Sequence, residues 1–433
     1  MDLDHLIVNV DILTWEGAKA VIRQGDVGLA HGRIALLETG RRGRPVGRAK
    51  QVLDGRDMLA MPGLVNLHCH AAMTLFRGMA DDLQLSAWLN EHIFPAEARH
   101  VHPEMVYWCS KLAAAEMILS GTTTVADGYF HGEEAARAFR DAGIRAIAAQ
   151  GIIDFPAPGV ADPRRNLEVA DAFLAAWKDR CTLVTPALFA HSPYTCSNRT
   201  ITGAKELARR HGVPLFIHLA ETGQEKELIR ERKGSTPVRH LQNLGVLDQD
   251  TVCVHCVWCD ERDLDILAAG RCPVVPCPQS HMKLASGIAP VASMLARDMR
   301  VGLGTDGPAS NNGLDMFREM DLCAKLQKVA TGDPEAVPAG AALAMGTGRL
   351  AGLPGTAPGS LEPGNPADLI LLDCARPHLQ PMYNGDLLVY AASGSDVDTV
   401  FIDGTMVMHR RQILTFDLDE CLERVRRLAA RVH

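Results

Sequence analysis

Four short polar clusters interrupt otherwise apolar runs in this chain, and their residue types are those that hold a divalent cation. Asn66-Leu67-His68-Cys69-His70 carries two imidazoles two residues apart, and Phe216-Ile217-His218-Leu219-Ala220-Glu221 places a carboxylate three residues beyond an imidazole. A third apolar run ends at His255, and a fourth, Gly302-Leu303-Gly304-Thr305-Asp306, ends in a carboxylate. In an extended segment, residues two apart project to one side, so His68 and His70 can face a common centre. Three or four imidazoles with one carboxylate make a donor set for a borderline cation such as zinc or ferrous iron. A lone histidine at a strand end is ordinarily just a satisfied polar group, and the chain has 17 histidines. The metal reading therefore depends on elements that bring the four clusters to one place.

Eight apolar runs rich in Val, Ile and Ala lie at 63–68, 122–126, 144–150, 183–190, 214–219, 251–255, 273–277 and 301–305. Stretches of helical spacing separate them, the pattern of repeated βα units. The helical stretches 104–119, 204–211 and 260–269 each run into a glycine (Gly121, Gly212, Gly270), where a helix C-cap falls. Eight such units predict an α/β fold, a TIM (β/α)8 barrel over 61–357, whose active groups sit at the C-terminal ends of the strands. All four clusters lie at such ends. The flanks read differently: Leu6–Val10 alternates, and a hairpin turns at His31-Gly32 and another at Asp403-Gly404. They predict a small β-sandwich domain built from both termini, 1–60 and 358–415, with an amphipathic C-terminal helix over 416–433.

The net charge of −8 argues against a nucleic-acid or anionic-membrane surface, either of which needs a basic patch. Met1-Asp2-Leu3-Asp4-His5 lacks the positive charge that opens a secretory signal, and no apolar run is long enough to span a bilayer. The expectation is a cytoplasmic protein with a small-molecule partner, no nucleic acid and no membrane, its 12 cysteines reduced. A homo-oligomer stays open.

Met61-Pro62-Gly63-Leu64-Val65-Asn66-Leu67-His68-Cys69-His70 resembles the strand-one motif of the amidohydrolase superfamily, and Leu361-Glu362-Pro363-Gly364-Asn365-Pro366-Ala367-Asp368-Leu369 resembles its return into the small β domain. Within that superfamily the chain looks like the 5'-methylthioadenosine/S-adenosylhomocysteine deaminases. The resemblance is carried by His70-Ala71-Ala72-Met73-Thr74, Ala80-Asp81-Asp82-Leu83, Pro95-Ala96-Glu97 and His191-Ser192-Pro193-Tyr194-Thr195. It is carried further by His218-Leu219-Ala220-Glu221-Thr222, Met282-Lys283-Leu284-Ala285-Ser286-Gly287, and Gly304-Thr305-Asp306-Gly307 with Ser310-Asn311-Asn312.

The resemblance implies hydrolytic deamination of a purine nucleoside of the adenosine type, giving the inosine analogue and ammonia. It implies that His68, His70, His218 and Asp306 ligate one divalent ion per subunit, zinc ahead of iron. Binuclear relatives bridge two ions with a carboxylated lysine on strand four, and 183–190 contains no lysine. Asp306 and His255 would orient the attacking water and accept its proton. Glu221 would carry a proton to N1 of the purine and then to the departing ammonia, a task suited to a partly buried carboxyl with a raised pKa. Glu97 and His191 are implied as partners of the ribose hydroxyls, Trp88 as a pocket wall and Ser310 as a substrate contact.

Two departures from the family pattern, Gln279-Ser280-His281 and the glycine of Asp127-Gly128-Tyr129-Phe130, fall near barrel-mouth loops and bear on substrate choice. Arg164 and Arg165 read as a solvated basic pair rather than as a clamp for a substrate carboxylate. Cys253-Val254-His255-Cys256-Val257-Trp258-Cys259 imitates a metal-binding cysteine cluster, but on a strand its thiols scatter to different faces. The cytidine-deaminase signature fails because Pro276-Cys277 is followed by no second cysteine. Hydrolysis of another heterocycle (guanine, an s-triazine or aminodeoxyfutalosine) stays open on the same fold. A non-catalytic metal-binding scaffold is the remaining alternative, although it would have no need of the proton shuttle that Glu221 offers.

Overall fold

Seven parallel strands run side by side in chain order through the middle of the chain in this computed structural model, which describes residues 2–40 and 48–432. Met1, 41–47 and His433, which the expected small domain and terminal helix include, lie outside the described residues. The strands are Leu64–Cys69, Thr122–Tyr129, Arg145–Ile152, Val184–Ala190, Leu215–Leu219, Thr251–His255 and Val274–Val275. The seventh is shorter than expected, and the expected eighth, 301–305, is not a regular strand. Its backbone closes the ring all the same. Gly302 N donates to Val274 O (3.0 Å) and Gly304 N to Pro276 O (3.1 Å), while Leu67 N donates to Leu303 O (2.9 Å) and Asp306 N to His68 O (3.0 Å). The irregularity has a steric cause. A Cβ at Gly302 would lie 2.2 Å from Leu67 Cδ1, and one at Gly304 would lie 2.7 Å from His68 Cβ. Only bare backbone fits against strand one there.

Alternate residues of the strands fill the barrel: Val65 with Leu67, Ala187 with Phe189, Val252 with Val254 and Val275 with Cys277 belong to one interior cluster. The intervening residues pack outward beneath the helices, so the strands are apolar on both faces, as parallel sheets require. The three expected helices appear as Pro103–Leu119, Asn198–His211 and Glu261–Ala269. Gly212 ends its helix in the left-handed conformation at φ 67°, whereas Gly270 stays right-handed. Among the described residues no helix is long and apolar enough to cross a membrane.

Both chain ends join in a second, nine-stranded sheet. Its first strand, Asp2–Glu16, serves two partners: Asp2 to Val8 pair with Arg48–Asp54, and Asp11 and Ile12 pair with Met58–Pro62. The switch lies at Asn9, whose φ is 59°. Met58–Pro62 pairs antiparallel with Leu369–Asp373, which continues into Val397–Ile402 and Thr405–His409. Ile7, Val10, Val27, Leu29, Leu369 and Phe401 form the core of this small sandwich. The terminal helix Leu418–Ala429, capped by Asp417, buries Cys421, Val425 and Leu428 and packs on Pro103–Leu119.

One buried ion pair joins the two units. Arg145, opening the third barrel strand, donates Nε to Asp368 Oδ2 (2.6 Å) and Nη2 to Oδ1 (3.0 Å), and Asp368 also accepts Asp403 N (2.7 Å). The Asp368 side chain is wholly buried, and removing it leaves the Arg145 guanidinium only its longer contacts to the partly exposed Asp403 (3.3 Å) and to Thr182 O (3.4 Å). We expect Asp368→Ala to cost about 3–5 kcal/mol. Thermal unfolding measures it, and an unchanged midpoint would show that the pair does not pin the domains.

Candidate active site

His68, His70, His218, His255 and Asp306 converge at the C-terminal mouth of the barrel. His68, His70 and Asp306 offer atoms within 4.8 Å of one another, as do His68, His218 and His255. Asp306 Oδ1 lies 3.4 Å from His68 Nε2 and 3.5 Å from His70 Nε2. His70 Nδ1 stands 2.6 Å from the Gly128 carbonyl, which can only accept, so Nδ1 carries the proton and Nε2 keeps its lone pair toward the centre. Burial and the neighbouring imidazoles hold His70 down to about 4 and His218 well below the ordinary range, which keeps both rings in the neutral, ligating form. His68 is fully buried, and neither of its ring nitrogens has a hydrogen-bond partner. Buried polar atoms are rarely left unmatched in a folded protein. An orphaned imidazole inside a ring of lone-pair donors is what a cation ligand looks like from the protein side, and the donor set fits one.

Asp306 is held from behind. Its Oδ2 accepts Ser280 Oγ (2.7 Å) and Ser310 Oγ (2.9 Å), its Oδ1 accepts Gly307 N (2.7 Å), and its backbone sits at φ 62°. A non-glycine residue in that region is strained and persists only where the surroundings enforce it. Ser310, expected against substrate, lies on the far side of this carboxylate and does not line the pocket.

Glu221 follows the fifth strand after Ala220, whose φ of 52° reverses the chain. The backbone N–H groups of Ala220 and Glu221 both donate to the buried Glu225 carboxylate, at 2.9 and 2.8 Å. Glu221 Oε2 thereby comes to 3.6 Å from His255 Nε2. Burial first, and then the charges of Asp306 and Glu225, push its carboxyl well above the usual range. A buried carboxyl raised in this way is suited to hold and hand on a proton.

The pocket above these groups has a volume of about 80 Å³. Trp88, Leu89, Ile93 and Phe94, from a helical stretch after strand one, wall it opposite His191 and Glu221. Glu97 is buried in it and accepts a hydrogen bond from Tyr129 Oη at 2.7 Å. His191 Nδ1 lies 2.9 Å from Thr195 Oγ1. The floor is Phe189, whose ring centroid stands 4.7 Å from that of His218 and 5.8 Å from that of His70. A Cβ at Gly128 would come within 2.2 Å of Phe189, so the glycine makes room for this ring. Burial raises the Glu97 carboxyl to about 7. A group accepting two hydroxyl protons works best ionised, so KM for a riboside is expected to rise as pH falls through about 7. Glu97→Gln should raise KM and flatten that dependence; an unaltered KM profile would remove Glu97 from the binding site.

Several roles were not visible in the sequence. None of Gln279, Ser280 and His281 lines the pocket. Gln279 instead donates its backbone N (3.1 Å) and Nε2 (2.8 Å) to the fully buried Glu319, which Asn311 Nδ2 also supports (2.7 Å). A glutamate at 279 would set two carboxylates against each other there. His281 Nε2 lies 3.0 Å from His255 Nδ1. Ser280, Tyr129 and Phe189 likewise act on neighbours that only the fold supplies, whereas Glu225 acts on Ala220 and Glu221, five and four residues before it; nearness in sequence to the polar clusters was the sole signal. Arg164 pairs with Asp162 and Arg165 with Glu168, both exposed, as expected of a solvated pair. The cysteines are all free thiols, and among the described residues Cys277 alone joins a metal-capable cluster; the other thiols do not scatter as expected, since Cys253 lies against Cys256 and Cys272, and Cys256 against Cys259.

A family model described as the amidohydrolase family matches residues 59–407. The chain is 46% identical over 435 residues to a 5-methylthioadenosine/S-adenosylhomocysteine deaminase of Syntrophus aciditrophicus, covering 100% of this chain and 98% of the relative. It is 41% identical to a 5'-deoxyadenosine deaminase of Methanosarcina acetivorans, covering 98% of each. Among solved structures, an adenosine deaminase of Xanthomonas campestris with bound zinc superposes with a TM-score of 0.95 at 32% identity, over 100% of this chain and 99% of that one.

Proposed function

Since the chain belongs to the amidohydrolase family, we propose that its barrel-mouth pocket catalyses hydrolytic deamination of 5'-substituted adenosines, 5'-methylthioadenosine and S-adenosylhomocysteine among them. The observation that carries this reading is Glu221, a buried carboxyl with a raised pKa, set 3.6 Å from His255 beside the cation donor set. His68, His70, His218 and Asp306 would hold one divalent ion, zinc before iron. Such an ion brings the pKa of a water from 15.7 to about 7, which supplies the nucleophile at neutral pH. Phe189 supports a single ion, because an apolar ring covers strand four where a second set of donors would have to stand.

The side chains divide the remaining work. Asp306 and His255 orient the water and take its proton. Glu221 gives its proton to N1 as oxygen adds at C6, takes up the hydroxyl proton of the oxygen now bound there, and passes it to the exocyclic nitrogen as the C6–N bond breaks, the C6=O bond forms and ammonia leaves. The proton held by Asp306 and His255 then restores Glu221. Glu97 and His191 hold the ribose hydroxyls, and Trp88 closes the wall. The cytoplasm is the proposed location, where the buried thiols stay reduced. Ammonia release from 5'-methylthioadenosine, S-adenosylhomocysteine, 5'-deoxyadenosine, adenosine and guanine tests the proposal. Turnover of the adenosine compounds supports it; turnover of guanine alone, or of none, would overturn it.

A further inference from the structure

The reaction described above leaves the buried His281 without a task. His281 sits in the short helix Pro278–Lys283, does not reach the substrate pocket, and presents Nε2 to His255 Nδ1 at 3.0 Å. The other nitrogen of His255, Nε2, faces Glu221 Oε2 at 3.6 Å. Between two neutral imidazoles a contact of this length holds one proton, and the ring that owns it decides what the opposite nitrogen of His255 can do. His255 is also wedged in place: its ring stacks on His218 at 5.2 Å between centroids and meets His281 edge-on at 5.2 Å. The backbone at His255 and Cys256 is left-handed, with φ of 74° and 50°. Behind His281 lies a narrow cleft of about 10 Å³ bordered by Pro276, Pro278, Ile288 and Gln327.

We propose that His281 is a positioning residue that fixes the tautomer of His255. His255 donates Nδ1–H to His281 Nε2, so its own Nε2 presents a lone pair toward Glu221 and the reacting water. The reverse arrangement, with His281 as donor, would place the proton on His255 Nε2 and leave it unable to accept one. The hydrogen bond also selects one ring orientation, because turning the His255 ring over would replace Nδ1 by a carbon. This inference rests on the deaminase reading, in which His255 accepts the water proton. A rival occupant has a physical basis, since His255, Cys277 and His281 offer three buried atoms within 4.8 Å of one another. Tetrahedral bonds of about 2.0–2.1 Å would spread the two nitrogens to about 3.3 Å, and 3.0 Å is the hydrogen-bond distance instead.

The test uses zinc-loaded enzyme with 15N-labelled histidine. Nitrogen shifts are expected to show His255 protonated at Nδ1. In His281→Leu that fixed tautomer should be lost and kcat should fall about 10–100-fold, with KM and metal content unchanged. His281→Gln, whose amide oxygen can accept the same hydrogen bond, should recover most of the rate. A proton on Nε2 of His255 in the wild type would overturn the proposal, as would an unchanged kcat in His281→Leu. Two metal equivalents per chain, one of them lost on substitution, would overturn it in favour of a second cation. If His281→Leu does not fold, the wild-type tautomer and the rate of His281→Gln decide. The nitrogen shifts are read without turnover, so inactivity on every adenosine compound would refute the reaction and not the hydrogen bond.

Discussion

Glu221→Gln is expected to lower kcat by about 10²–10⁴-fold while metal content stays at the wild-type level. Glutamine keeps the volume and the backbone hydrogen bonds to Glu225, which come from the N–H groups of Ala220 and Glu221 and not from the side chain. It removes only the capacity to hand on a proton. The purine ring cannot accept an oxygen at C6 without a proton at N1, and ammonia cannot leave as an anion, so both halves of the reaction lose the same group. KM should move little, because the proposed partners of the ribose hydroxyls are Glu97 and His191. Steady-state ammonia release with metal analysis of the same sample checks this, and a variant of near-wild-type kcat would remove Glu221 from the chemistry.

Asp306→Ala should go further and lose the metal as well. Asp306 is the only carboxylate in the proposed donor set, and it faces His68 and His70 with Oδ1 while Ser280 and Ser310 grip Oδ2. Without it the cation would meet neutral imidazoles alone, the Gly307 N–H would lose its acceptor, and the hydroxyls of Ser280 and Ser310 would be left with each other and the Gly307 carbonyl. The purified variant should carry well under one equivalent of metal and show turnover reduced at least as much as in Glu221→Gln. Its thermal midpoint should no longer respond to a chelator, whereas a bound ion at a hundredfold excess over its Kd contributes about 2.7 kcal/mol to the wild type. A full metal complement in Asp306→Ala would exclude it from the donor set.

The two halves of this site were unequally legible in the sequence. His68, His70, His218, His255 and Asp306 could be read because each ends an apolar run, and the period of a strand tells which way its last residues face. The barrel could be counted for the same reason, up to its final segment. There Gly302 and Gly304 replace side-chain packing with close backbone approach, so a strand-like run forms no regular strand. Ser310 shows the opposite limit. Its place in a family motif pointed to substrate, yet a turn of four residues from Asp306 puts its hydroxyl on that carboxylate. His281 and Tyr129 were opaque because each contact spans loops whose course no local pattern specifies. His281 and His255, for instance, lie 26 positions apart.

The pairing of Met58–Pro62 with Leu369–Asp373 also sets an order of events during synthesis. A chain leaving the ribosome completes its first strands early, but their antiparallel neighbour emerges only after the entire barrel has been translated. At about 5–20 residues per second that is an interval of roughly tens of seconds, during which Met58–Pro62 presents an open, apolar edge. Such an edge is a template for pairing with other chains. Nascent chains arrested before Leu369 should therefore be far more prone to aggregate or to engage chaperones than chains arrested after Ile402, once Leu369–Asp373 and Val397–Ile402 have covered that edge.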